Sequence, residues 1–128
     1  MRHPLHTLSG DVTRVIDAST LEIGGDRIRL WGLYTAGLGT ARGADASLFV
    51  HKLTLGQVIS CQEMADGAAR RGETILARCW LGGTDLTEAI IAAGHGRECT
   101  RDSQGAYRRV EAPFVLIRLP LPTNCNGT

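Results

Sequence analysis

The sequence contains no apolar run approaching the roughly 18 residues that a bilayer-spanning helix needs, which argues against a membrane span. Its first ten residues, MRHPLHTLSG, lack an apolar core of secretory length, so the chain as written carries no export address. This fits either a cytoplasmic protein or a periplasmic or secreted one whose leader has been removed. Charge of one sign is also missing: 14 basic residues stand against 13 acidic ones, a formal net charge of +1. A protein held to nucleic acid mainly by phosphate contacts usually carries a basic excess; none shows here. Lysine is nearly absent, Lys52 being the only one. The arginines reflect either coding bias or a use for planar, bidentate forks. No internal repeat and no low-complexity run interrupts the chain.

Cysteine is present but not in metal-knuckle form. Cys61, Cys79, Cys99 and Cys125 lie far apart with no C-x-x-C pair, which disfavours a zinc site. An even count permits two disulfides in three connectivities, with buried free thiols as the competing state. The histidines His3, His6, His51 and His95 do not cluster. His95 and Cys99 are four apart, but Gly94 and Gly96 break any helix that would align them.

At 128 residues with 43% hydrophobic content, the chain reads as one domain able to bury roughly two-thirds of its unfolded surface. Residues 1–9 read as a flexible tail. Asp11 to Asp17 has strand character and runs into a turn. Thr20–Ile23, Gly24-Gly25-Asp26 and Arg27–Leu33 form a hairpin signal, with Ile28 and Leu30 facing inward and Arg27, Arg29 and Trp31 outward. A glycine-rich stretch from Leu33 to Gly43 shows no periodicity. Ala46, Phe49, Val50 and Leu53 then make an apolar helical stripe, with Gly56 placed as a left-handed cap. Gln57–Glu63 and Thr74–Trp80 read as strands joined by a polar linker, Met64–Glu73. Asp85 opens a second helix carrying Leu86, Ala89, Ile90 and Ala93 and closed by Gly94. The order β-β-β-α-β-β-α is that of a β-rich α+β protein, a five-stranded OB-fold barrel with two or three helices. The domain is expected over 10–112. Tyr107–Ala112 starts a helix that Pro113 interrupts, and 113–128 is expected to be extended. Its apolar run, Phe114 to Leu119, suits a strand lying along the barrel, or one offered to a protein partner or a second copy.

These landmarks also carry a resemblance. Val15-Ile16-Asp17-Ala18-Ser19-Thr20-Leu21, Ile28-Arg29-Leu30-Trp31-Gly32-Leu33, Gly43-Ala44-Asp45-Ala46, Leu76-Ala77-Arg78-Cys79 and Gly83-Thr84-Asp85-Leu86 follow the order and spacing of the staphylococcal-nuclease-like (thermonuclease) domain. The likeness runs from about Gly10 to Glu111 and is looser to thermonuclease-like proteins of bacteria. It implies an enzyme that hydrolyses DNA and RNA phosphodiesters. Such an enzyme uses one calcium ion held by carboxylates, an acid that activates water, and arginines facing the phosphate.

Position by position, most of those groups are missing. Asp17 keeps the first acid of the family's Asp-Gly-Asp-Thr turn and Thr20 its threonine, but Ser19 replaces the second acid and Ala18 the glycine. Arg29 keeps the first arginine. Where the family reads Asp-Thr/Ala-Pro-Glu, this chain reads Tyr34-Thr35-Ala36-Gly37, so Tyr34 stands for a metal ligand and Gly37 for the general base. Between Leu33 and Asp45 no other carboxylate takes over. Thr74 stands at the second arginine, with Arg70 and Arg71 nearby in the linker. The resemblance therefore implies a nuclease fold that has lost its chemistry, a pseudoenzyme serving in binding or assembly and needing no cofactor.

Arg29 then either pairs with Asp17 or Glu22 for stability or still holds an anion. Trp31 and Tyr34, beside Arg27 and Arg29, would suit single-stranded nucleic acid or another anionic polymer weakly, or an oligosaccharide or peptide. The alternative is an atypical calcium-dependent nuclease rebuilt from Asp17, Glu22, Asp66 or Glu73. A third reading is a disulfide-stabilised accessory protein of an exported pathway. In the family, Cys61 and Cys79 lie side by side on neighbouring strands. The expected pairs are Cys61 with Cys79, and Cys99 with Cys125 pinning the tail, against four free thiols.

Overall fold

The computed structural model describes residues 7–64 and 74–125. Its frame is a closed barrel built from β1 (Thr7–Asp17), β2 (Thr20–Ile23), β3 (Asp26–Leu30), β5 (Val58–Glu63) and β6 (Ile75–Leu81), with a sixth strand, β7 (Thr84–Asp85), on its rim. The sheet order is β3-β2-β1-β5-β6-β7, and parallel pairing of β3 with β6 closes it. That is a β-rich α+β barrel of the OB type. A short ribbon of β4 (Leu33–Tyr34) and β8 (Arg97–Glu98) caps one side. The helices are α1 (Ala41–Thr54), α2 (Leu86–Ala92), α3 (Thr100–Ser103) and α4 (Pro113–Arg118).

Local chemistry explains the main turns. The β2–β3 hairpin needs two left-handed residues, and Gly24 and Gly25 supply φ of 58° and 88°; a Cβ would be strained at either. Asp85 caps α2 by accepting from the Glu88 N–H at 3.2 Å. Thr40 caps α1 by accepting from the Gly43 N–H at 3.0 Å. Leu21, Ile28, Leu30, Val50, Ile59, Ala77, Leu86 and Ile90 are fully buried in one core. At about 1.5–3 kcal/mol for each large aliphatic side chain, that core is the main stabilising term.

Several sequence-based expectations change. Residues 7–9, expected in a flexible tail, belong to β1, where Thr7, Leu8 and Ser9 pair with Gln62, Cys61 and Ser60. Helix α1 starts at Ala41, with Gly43 inside it. A Cβ on Gly43 would lie 1.8 Å from the Gly37 carbonyl oxygen, so only glycine lets the preceding loop pack there. Gly56 is left-handed at φ 77°, yet its N–H bonds to the Val12 carbonyl rather than back into the helix. Where a helix is expected to start over Tyr107–Ala112, a 3-10 turn, Arg108–Val110, forms instead.

The C-terminal segment is not extended. Pro113 begins α4 at a first-turn position, where its missing N–H costs nothing, and a second 3-10 turn follows at Thr123–Cys125. An edge strand for a partner is therefore not what residues 114–119 offer. Both expected disulfides are formed, Cys61–Cys79 across paired strands and Cys99–Cys125 between the ribbon and the chain end. No helix among the described residues is long and apolar enough to cross a membrane.

Candidate functional site

The β1–β2 turn and β3 bring Asp17, Thr20 and Arg29 together on the outer barrel wall. Ala18 is buried, and Asp17 spends one carboxylate oxygen inside the turn. Its Oδ1 accepts from the Ser19 N–H at 2.9 Å and from the Ser19 hydroxyl at 3.0 Å. This local loop holds the turn without help from a cation. The Ser19 carbonyl in turn accepts from the Leu30 N–H at 2.8 Å, locking the turn to the end of β3.

Strand register sets the neighbours. Thr20 lies opposite Arg29, Glu22 opposite Arg27 on one side and Arg14 on the other. Arginines 14, 27 and 29 thus share a wall with two carboxylates, Asp17 and Glu22, the latter accepting at Oε1 from the Thr13 hydroxyl at 3.2 Å. Arg27 is exposed and Arg29 half-buried. No hydrogen bond or ion pair joins the Arg29 side chain to another described residue, Asp17 and Glu22 included. The expected stabilising pair is not what holds it.

The remaining expected positions are occupied by backbone duties. Tyr34 lies opposite Arg97 in the β4–β8 ribbon. Gly96 makes room for it, since a Cβ there would come within 2.9 Å of the Tyr34 carbonyl and 3.3 Å of the Thr35 methyl. Gly37 offers its carbonyl to the Thr40 N–H at 3.0 Å and hydroxyl at 2.7 Å. Thr74 is exposed just ahead of β6. Arg70, Arg71, Asp66 and Glu73 lie outside the described residues, as do His3 and His6.

A calcium ion, which the resemblance implies, does not suit this donor set. Hard cations take six to eight oxygens, usually with several carboxylates. Asp17 is half consumed by Ser19, and Tyr34 and Gly37 bring no acid. Among the described residues, no group of three or more His, Cys, Asp or Glu could hold a metal ion.

A second constellation escaped the sequence reading. Arg78 on β6 donates from Nε to Asp85 Oδ2 at 2.8 Å, and the Tyr107 hydroxyl donates to the same oxygen at 2.7 Å. The Arg78 guanidinium sits over three rings, Trp31 and Trp80 at 5.5 Å and Tyr107 at 5.6 Å, and Trp31 meets Tyr107 edge-on at 5.9 Å. The bond to Asp85 raises the Arg78 pKa further. Burial, then the Asp85 contact, pushes the Tyr107 phenol well above its ordinary value. Trp31 is therefore committed to this cage, not free beside Arg27 as a stacking platform. Its members are scattered from residue 31 to residue 107, so no local spacing announces them.

No protein-family model matches the chain, and no curated protein matches it.

Proposed function

We propose that this chain is a thermonuclease-like barrel that binds an anionic polymer without cutting it. One observation carries the reading: the Asp17 carboxylate is closed onto Ser19 while Arg29, one strand away, keeps a guanidinium with no partner among the described residues. A cationic wall without a metal cradle or a general base favours bound substrate and transition state alike, which yields affinity and no acceleration. Each missing transition-state group is worth on the order of 10²-fold or more in rate. The ligand class that fits is single-stranded nucleic acid or a comparable polyanion, held weakly because only three arginines line the wall against Asp17 and Glu22. The two disulfides favour a working place in an oxidising compartment.

The test is fluorescence anisotropy of a labelled single-stranded DNA 20-mer at low salt, run beside a cleavage assay on the same oligonucleotide. The wild-type chain should bind in a salt-sensitive way. Arg29→Ala should weaken binding and reduce the salt slope by about one. No product should form with calcium, magnesium or manganese. Cleavage that disappears in Arg29→Ala would overturn the reading in favour of an atypical nuclease.

A further inference from the structure

Helix α4 is held by a single stripe. Val115 and Leu119, four residues apart and so on one face, are its buried side chains. Ile117 lies about 200° of helical turn from Val115 and points away from that stripe. It is 84% exposed, the most of any large apolar side chain among the described residues. Phe114 and Leu116 flank it and are exposed as well. A surface helix ordinarily turns polar side chains outward; α4 turns out three large apolar ones. Adjacent exposure of this kind marks a surface made for contact.

The charges of this part of the chain are sorted by sign. Between residues 97 and 125 the acids are Glu98, Asp102 and Glu111, and all three turn inward. Glu98 is fully buried, and the Asp102 and Glu111 side chains are 7% and 9% exposed. Asp102 accepts from Arg101 and the Gly32 N–H, Glu111 from Arg97 and the Glu98 N–H. The exposed charges of the same stretch are Arg101, Arg108, Arg109 and Arg118. Asp102 balances Arg101 at 3.3 Å and Glu88 of α2 balances Arg109 at 2.6 Å. The Arg108 and Arg118 guanidiniums meet no carboxylate among the described residues. Arg118 stands on α4 itself, 5.8 Å over the Phe114 ring. Arg42 of α1 lines the cleft beside Phe114, with Asp45 the one acid there.

We propose that α4 seats the protein on an anionic lipid surface. Leu116 and Ile117 enter the acyl boundary with the Phe114 ring beside them, and Arg118 meets the lipid phosphates. Apolar insertion and attraction between cations and headgroups add in such binding, and this six-residue helix offers both. The outward charge is complementary to an acidic surface because every acid of the stretch is spent inside the fold. A second copy fits less well, since a two-fold contact through α4 would bring Arg118 toward its own equivalent. The surface shares no residue with the arginine wall of β1 to β3 and does not depend on the polyanion reading.

Cosedimentation of the full, oxidised chain with vesicles tests the idea, using phosphatidylcholine alone or mixed equally with phosphatidylglycerol. The chain should pellet with the mixed vesicles, and less so as salt rises. Leu116→Ser/Ile117→Ser alters exposed positions, so the urea midpoint should hold while the partition coefficient falls at least about tenfold. Arg118→Gln should lower it about fivefold on mixed vesicles. Arg29→Ala should leave it unchanged. Ile117→Trp should still bind and shift its emission to the blue on mixed vesicles. No pelleting with mixed vesicles would overturn the proposal, as would an unchanged partition in Leu116→Ser/Ile117→Ser or an unshifted Ile117→Trp emission. Partition lost in Arg29→Ala but kept in the double variant would overturn it by giving the headgroups to the arginine wall. So would a dimer in sedimentation equilibrium that Leu116→Ser/Ile117→Ser dissociates, because a second copy would then be the occupant.

Discussion

The barrel and the C-terminal arm are held by different means. In the barrel, every strand is laddered on both sides, and Cys61–Cys79 joins residues that the β5–β6 register already places opposite each other. In the arm, residues 113–125 form no ladder. Buried Val115, Leu119 and Cys125 anchor it, with Arg97 Nη1 donating to the Leu119 carbonyl at 3.3 Å and the Thr100 hydroxyl to the Cys125 carbonyl at 2.9 Å. The two disulfides enclose similar loops, with separations of 18 and 26 residues. Chain entropy alone assigns each about 3 kcal/mol. The same covalent bond is thus redundant for position in one region and decisive for it in the other.

Between the two regions in sequence stands Tyr107, fully buried beneath Trp31 and Arg78. Its backbone N–H donates to Glu98 Oε2 at 3.2 Å, an oxygen that also takes the Ser103 hydroxyl at 2.5 Å and the Gly105 N–H at 2.8 Å. Glu98 Oε1 has no partner among the described residues, so these donors alone offset the carboxylate's desolvation. Tyr107→Ala is expected to have the largest effect, about 3–5 kcal/mol, read as a fall in the urea midpoint of the whole molecule. If only the arm loosened, the junction would belong to the arm and the two regions would be less coupled than described.

Next in size is the double variant Cys99→Ala/Cys125→Ala, expected to cost about 3 kcal/mol. Hydrogen exchange should localise the loss, with amides of 113–125 exchanging faster while β1, β5 and β6 keep their protection. Cys61→Ala/Cys79→Ala should instead lower protection throughout the barrel without changing its register. Matching exchange patterns in the two double variants would erase the distinction between redundant and decisive bonds.

The smallest expected effect sharpens the arm's docking. Gly94 is left-handed at φ 83°, and a Cβ on it would stand 2.8 Å from the Phe114 ring. Gly94→Ala should cost about 1–2 kcal/mol and displace Phe114, detectable as altered aromatic NMR shifts. Unchanged Phe114 resonances would mean that the ring is not seated on that glycine.

The sequence was legible where one physical rule acted alone. Alternation around Ile28 and Leu30 and the Gly24-Gly25 turn placed the hairpin, and the Ala46/Val50 stripe placed α1. The start of α1 was misread because Gly43 looks like a loop residue until its contact with Gly37 is seen. The arm was misread because Pro113 breaks a helix from within but opens one from its first turn, and the sequence alone does not say which. At the site, the absence of a carboxylate at Ser19, Tyr34 and Gly37 could be read directly. That Asp17 would be spent on Ser19, and Trp31 on Arg78 and Tyr107, required the third dimension.

The β3–β6 seam has a consequence for biosynthesis. Its pairs join Ile28 to Ile75, Arg29 to Leu76 and Leu30 to Ala77, contacts of long sequence separation that are slow to form. A chain leaving the ribosome holds an open ribbon until residue 77 emerges, and Cys79 follows two residues later. Closure and the arrival of the sulfur that ties β6 to β5 are therefore a single event in the life of the nascent chain, and a truncation before that point leaves neither.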